Sequence, residues 1–223
     1  MNFDQISSGV ELNLEGSEAK SHSDMLDKNL RVLRADLSGM PLEWISYRDA
    51  ARLYSLEQVL YPMGKMLFEM HGGTNAKTGK QSILEIHSIV CTLGKSQAHL
   101  MHHPRYTPPL NNKTLFRRDA YLCLYCGKRF LHQDLSRDHI HPISRGGRDV
   151  WKNCVTACKR CNHHKGNLTP EEARMELLAV PFIPCHAEYI YLSGRTILAD
   201  QMEFLLAHFP RNSLLHRRLG SLS

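Results

Sequence analysis

The run of apolar and polar positions divides the chain into stretches of different character. Residues 1–29 hold six acids, two lysines and five serines with few large apolar side chains, so this stretch reads as a mobile arm. The pattern then changes. Arg31-Val32-Leu33-Arg34-Ala35-Asp36 and Pro41-Leu42-Glu43-Trp44-Ile45-Ser46 read as two short strands around a Ser-Gly-Met turn. Residues 47–60 set Ala50, Leu53, Leu56 and Leu60 on one side, which predicts a helix over that stretch. Residues 72–80, GGTNAKTGK, read as a loop, and residues 81–91, rich in β-branched side chains, as a buried strand. Together, residues 30–110 are expected to form a small α+β module.

Beyond it, PRYTPP at 104–109 marks a boundary. Residues 112–119 predict one or two helical turns, and residues 120–166 are rich in loops. At 169–172, Thr-Pro-Glu-Glu reads as a helix start, with Thr169 as N-cap, Pro170 at the first position and Glu172 closing a capping box. A last helix is expected over 197–209, stopped by Pro210. The expected organisation is therefore an arm at 1–29, a module at 30–110, a chemistry-bearing unit at 111–170 and a helical extension at 171–223. No stretch approaches 18 consecutive apolar residues, and the N-terminus has neither a basic region nor an apolar one of the secretory type, so the expectation is a cytoplasmic protein that does not span a membrane.

Composition narrows the class. Of 223 residues, 42% are hydrophobic and 22% charged, as in ordinary globular proteins, which excludes collagen-like, mucin-like and wholly disordered chains. Charge is uneven. Residues 113–165 carry twelve lysines or arginines against four aspartates, a local excess of eight positive charges in a chain whose net charge is only +6. A basic block in an otherwise mildly acidic protein suggests a face for a polyanion.

That block also holds the strongest chemical signal. Cys123-x-x-Cys126 is followed after thirty-one residues by Cys158-x-x-Cys161. Two-residue spacing lets both thiolates of a pair face one ion, and two pairs complete a closed tetrahedral site; thiolate softness selects zinc. Four protein ligands leave no open position, so this zinc is expected to be structural. Gly127, just after Cys126, suits a turn with positive φ. Cys91, Cys154 and Cys185 lack partner spacing and read as ordinary thiols.

Between the pairs lie Asp138-His139-Ile140-His141-Pro142-Ile143-Ser144-Arg145-Gly146-Gly147 and Asn153, and Asn162-His163-His164-Lys165-Gly166 follows the last cysteine. A carboxylate, imidazoles, amides and many cations are the inventory of phosphodiester hydrolysis: a base for water, an oxygen-bound cation, and basic groups for the backbone. With the two Cys-x-x-Cys pairs, this order of residues resembles the HNH nuclease family and its ββα-metal fold. The resemblance covers about a quarter of the chain. The flanks, from Leu115-Phe116-Arg117-Arg118-Asp119 to the stretch at Thr169, are more weakly similar to bacterial stand-alone HNH proteins.

The resemblance implies an α+β protein in which a zinc-stapled ββα-metal unit sits between an N-terminal module and C-terminal helices. It implies a DNA endonuclease leaving 5′-phosphate and 3′-hydroxyl ends. His139 would be the general base, Asp138 a ligand of a catalytic Mg²⁺ or Mn²⁺, and Asn153 would orient the His139 ring. Asn162 stands where many members have His; Asn162 or His163 would complete the metal site, with Asn162 favoured. Arg117, Arg118, Arg145, Arg148, Lys159, Arg160 and Lys165 are candidate phosphate contacts. His141 shares a strand face with His139 and reads as a hydrogen-bonded structural histidine. Adjacent strand residues point to opposite sides, so the demand that Asp138 and His139 serve one site requires the strand to be ending there. The alternative is a non-catalytic zinc-containing nucleic-acid-binding module. A homodimer or a protein partner could use the N-terminal module through Trp44 and the helix at 47–60.

Overall fold

Two short strands near the start of the described chain are largely buried and form one side of the larger sheet. The computed structural model describes residues 30–93 and 106–220; the expected arm at 1–29 lies outside the described residues. β1 (Val32–Ala35) and β2 (Pro41–Ile45) form an antiparallel pair. β1 also pairs in parallel with β4 (Gln81–Thr92), which pairs antiparallel with β3 (Val59–Thr74), giving the order β2-β1-β4-β3. One face of this sheet places Val32, Ile86 and Val90 against Ala50 of α1 (Tyr47–Ser55). Leu33 and Ile89 pack on the other side with residues of α4 (His186–Ser193) and α5 (Ala199–Ala207).

Helix α1 is shorter than its periodicity implied. Ser46 caps it in a reciprocal capping box with Asp49, but it ends at Ser55. Glu57 takes a left-handed φ of 54°, and Leu60 lies in β3. The chain thus turns before the apolar stripe is complete, and Leu56 stays exposed. The loop expected at 72–80 is likewise reduced to a turn after Thr74, because Gly72 and Gly73 continue the β3–β4 ribbon.

The cysteine-bearing part is built on a small hairpin. After α2 (Asn112–Arg118), β5 (Leu135–His139) pairs antiparallel with β6 (Cys154–Cys158), and α3 (Lys159–Lys165) follows directly. All five residues of β6 are buried, so that strand is covered on both sides, while β5 keeps one face partly open. At Thr169 the expected cap forms: Glu172 N–H donates to Thr169 Oγ1 (3.4 Å) and Thr169 N–H donates to Glu172 Oε2 (2.9 Å). A single turn follows and stops at Arg174, whose φ is 52°. The helix expected over 197–209 is α5, and α4 and α6 (Leu214–Gly220) accompany it. The fold is α+β, and among the described residues no helix is long and apolar enough to cross a membrane.

Candidate active site and metal centre

The four cysteines come from three local structures. Cys123 and Cys126 flank a turn closed by Gly127 N–H to Cys123 O (2.9 Å), with Gly127 at φ 71°. Cys158 ends β6 and caps α3, receiving Cys161 N–H at 3.4 Å. Their sulfurs lie within 4.8 Å of one another. Burial opposes the Cys123 thiolate, but backbone N–H groups of Cys158, Cys126 and Tyr125 outweigh it and bring this thiol down to about 7. Burial and the neighbouring sulfurs push Cys161 up. Four thiolates cannot all ionise side by side without a cation, so the donor set and its spacing fit a zinc ion in a closed structural site.

The hairpin's two faces separate the adjacent residues Asp138 and His139. Asp138 is 4% exposed. Lys165 Nζ donates to its Oδ1 (3.0 Å) and also to His139 O (2.8 Å), and the Tyr125 hydroxyl donates to its Oδ2. Burial, then the Asp138 contact, pushes the Tyr125 hydroxyl up, so it stays protonated as a donor.

His139 turns the other way. Its Nε2 lies 2.8 Å from Asp149 Oδ1, and Arg137, two residues earlier on the same face, donates to both Asp149 oxygens (2.8 and 2.6 Å). Arg137 first, then His139, hold the Asp149 carboxyl at about 2, so it is ionised at neutral pH. An ionised carboxylate only accepts, so Nε2 of His139 is the donor, and the neutral tautomer that this contact selects has its lone pair on Nδ1. Among the described residues nothing bonds to that Nδ1. The Cys154 thiol donates to Asp149 Oδ1 (3.3 Å) and is pushed up to about 12 by burial and then by Asp149. It is therefore a neutral donor in this arrangement, with its sulfur within 4.8 Å of the His139 and Asp149 donor atoms.

A family model described as HNH endonuclease matches residues 123–178. That segment is an HNH domain. No curated protein matches the chain. The match begins at Cys123, the first of the four clustered cysteines, and ends just beyond the single turn after Thr169, so it contains every residue so far placed around His139.

The geometry places the other expected site residues of this HNH domain as follows. Asp138 does not share a vacancy with His139, because strand alternation sends it inward, where Lys165 and Tyr125 engage both oxygens. The Asn153 side chain makes its hydrogen bonds elsewhere than to the His139 ring. Its Oδ1 accepts His141 N–H (2.9 Å), and its Nδ2 donates to His141 O (3.0 Å) and Arg148 O (2.8 Å), so it clamps the loop between the strands. Gly147 is needed in that loop, since a Cβ there would meet His141 O at 1.9 Å. Asn162 donates through Nδ2 to Ser136 Oγ (2.9 Å) and Arg137 O (3.3 Å), and His163 is exposed. His141 bonds Arg145 O through Nε2 (2.9 Å), a structural role.

Two of the expected phosphate contacts are buried. Arg118 is 2% exposed and donates to the carbonyls of Trp151, Phe182 and Cys154 while pairing with Asp119. Lys165, 1% exposed, is committed to Asp138. Arg117 stacks over Tyr191, and Arg145 pairs with Glu172. Arg148, Lys159 and Arg160 are exposed. The residues that sequence reasoning missed are Asp149, Tyr125 and Asn112, whose Oδ1 accepts Arg137 Nε at 2.9 Å. An acid in a glycine-rich loop ten residues after the histidine was the available signal for Asp149.

A hard second cation finds no ready oxygen cage beside His139. Asp138 is saturated and buried, and Asp149 already takes Arg137, His139 and Cys154. His139, Asp149 and Cys154 nonetheless place a nitrogen, an oxygen and a sulfur donor within 4.8 Å of one another, a group that could hold a metal ion but offers only one hard oxygen to Mg²⁺ or Mn²⁺.

Proposed function

We propose that the chain is an endonuclease that hydrolyses DNA phosphodiester bonds, with His139 as the general base. The observation that carries this reading is the chain of contacts Asn112–Arg137–Asp149–His139 within and beside an HNH domain, which leaves Nδ1 of a partly exposed imidazole unengaged. Nδ1 takes the proton of an attacking water. The Asp149 carboxylate offsets the imidazolium charge that develops and holds the ring in one tautomer. Arg137 keeps Asp149 ionised and fixed. Exposed Arg148, Lys159 and Arg160 supply cations for the phosphate backbone. Asp138, Lys165 and Tyr125 hold the end of β5 from beneath, and Asn153 fixes the loop that carries Asp149. Divalent-metal dependence is part of the proposal, and His139, Asp149 and Cys154 are the converging donors that would hold such an ion; every step above is carried by the chain's own residues.

Purified zinc-loaded protein should nick or cut plasmid DNA in the presence of Mg²⁺ or Mn²⁺. His139→Ala should lower the rate by about 10²–10⁴-fold, the range a positioned acid–base group supplies. Wild-type protein that is inert with both metals on supercoiled, linear and single-stranded DNA would overturn the proposal in favour of a non-catalytic nucleic-acid-binding module.

A further inference from the structure

Outside the HNH domain, a cavity of about 490 Å³ opens between the edge strand β2, the start of α2 and the end of α4. Its volume falls in the range of small-molecule sites, about 300–1,000 Å³. Arg31, Lys113 and Arg195 line it, together with Trp44 and Tyr189. The carboxylate on its wall, Glu43, is paired with Arg34 at 2.9 Å. No ion pair engages any of the three cations among the described residues. Burial, then Arg117 and Arg195, draws Lys113 below the usual lysine range.

The aromatic wall is rigid. Trp44 is half-buried, its indole N–H donates to Ile190 O (2.8 Å), and Gly194 lies against the ring, where a Cβ would approach Trp44 Cε2 to 3.2 Å. Lys113 Nζ reaches Ser193 O at 3.0 Å across the mouth. A fixed aromatic ring beside three cations outside any ion pair matches a flat base carrying a phosphate. The cavity is also tied to the candidate site. Asn112, the neighbour of Lys113, supports Arg137, which holds the Asp149 partner of His139.

We propose that this cavity receives one unpaired nucleotide of the DNA strand, its base against Trp44 and its phosphate between Lys113, Arg195 and Arg31. The proposal rests on the nucleic-acid substrate of the reading above. A base in intact duplex has no free face to stack, so the occupant is a strand end, a gap or a flipped-out position. The N-terminal module then serves to select DNA that is locally unpaired, beside the HNH domain that would cut it.

The test uses full-length zinc-loaded protein and a short single-stranded oligodeoxynucleotide with a non-hydrolysable backbone. Titration should quench tryptophan fluorescence, and Trp44→Phe should remove that quench. The exposed double variant Lys113→Gln/Arg195→Gln should bind about tenfold more weakly. Its salt slope should fall by about 0.7 for each charge removed. Quenching that persists in Trp44→Phe, or unchanged affinity and slope in the double variant, overturns the assignment. So does a matched duplex, or thymidine 5′-monophosphate alone, that binds as tightly as the oligonucleotide. The two readings fail separately. Protein that binds and quenches but never cleaves refutes the nuclease and retains the cavity. Protein that cleaves while the double variant binds normally refutes the cavity and retains the nuclease.

Discussion

Strand β5 carries two ion pairs of the same chemistry on its two faces, and they do different work. Inward, Asp138 meets Lys165 with both side chains almost fully covered. Outward, Asp149 meets Arg137 with its side chain 51% exposed. A buried charge is tolerated only while its partner remains, so the inner pair fixes where β5, α3 and the cysteine turn sit relative to each other. The outer pair is weak as a stabiliser, because solvent screens it. Its value is chemical: it keeps a carboxylate ionised against the imidazole. The contrast separates the residues that hold the hairpin from those that could act on a substrate.

The largest way to break the inner side is to remove the ion it leans on. Tyr125, between Cys123 and Cys126, reaches Asp138 directly, so the metal centre and the strand share one support. Structural zinc typically contributes about 10–16 kcal/mol of apparent binding energy in small domains, and chelation should therefore unfold the stretch around 120–166. Circular dichroism during titration with a strong chelator, with zinc release read by a colour indicator, checks this; an unchanged spectrum at full release would show that the hairpin stands without the ion. Next in size, Lys165→Met leaves Asp138 buried beside Tyr125 alone. A loss of about 3–5 kcal/mol in denaturant unfolding is expected, and Asp138→Asn/Lys165→Met should recover a large part of it. If that double variant folds and still cleaves DNA, Asp138 acts as a support; if it folds with cleavage abolished, the carboxylate is needed for chemistry.

The cysteine pairs were legible because ligand spacing is a local property of the sequence, and their sulfurs do converge. The direction of Asp138 was also legible, in a sense: strand alternation already sends it away from His139, and the motif resemblance argued against that simple rule. Arg118 could not be read from its neighbourhood. Its burial depends on carbonyls of Trp151, Cys154 and Phe182, the last 64 residues away. Helix α4 escaped notice because buried Ala187, Ile190 and Leu192 fall on several sides of it, which leaves no amphipathic period. The length of β3 follows from pairing with β4, since Pro62, Gly64, Gly72 and Gly73 would each argue against a strand when read alone.

The outer pair is sharpened by Asp149→Asn, which keeps the shape and removes the charge. The amide can offer its N–H to His139, which favours the other tautomer and takes the lone pair from Nδ1. Cleavage should fall by about 10²-fold, the lower end of what a positioned acid–base group provides, while the denaturant midpoint barely moves. Retained cleavage would remove Asp149 from the mechanism. The same variant has a smaller signature in acid. Arg137 and then His139 hold the Asp149 carboxyl at about 2 in the folded chain, against about 3.9 for a free aspartate. A depressed pKa means stability that is present above about 4 and lost as pH falls through about 2. Because the carboxylate is half exposed, that contribution is strongly screened. Zinc release by protonated thiols acts on wild-type and variant alike, so the difference between their acid-unfolding curves isolates Asp149. The wild-type advantage should be flat above pH 4 and vanish towards pH 2; a gap that widens in acid would mean that Asp149 is protonated more easily in the fold than in the unfolded chain, and the outer face of β5 would lose its fixed anion.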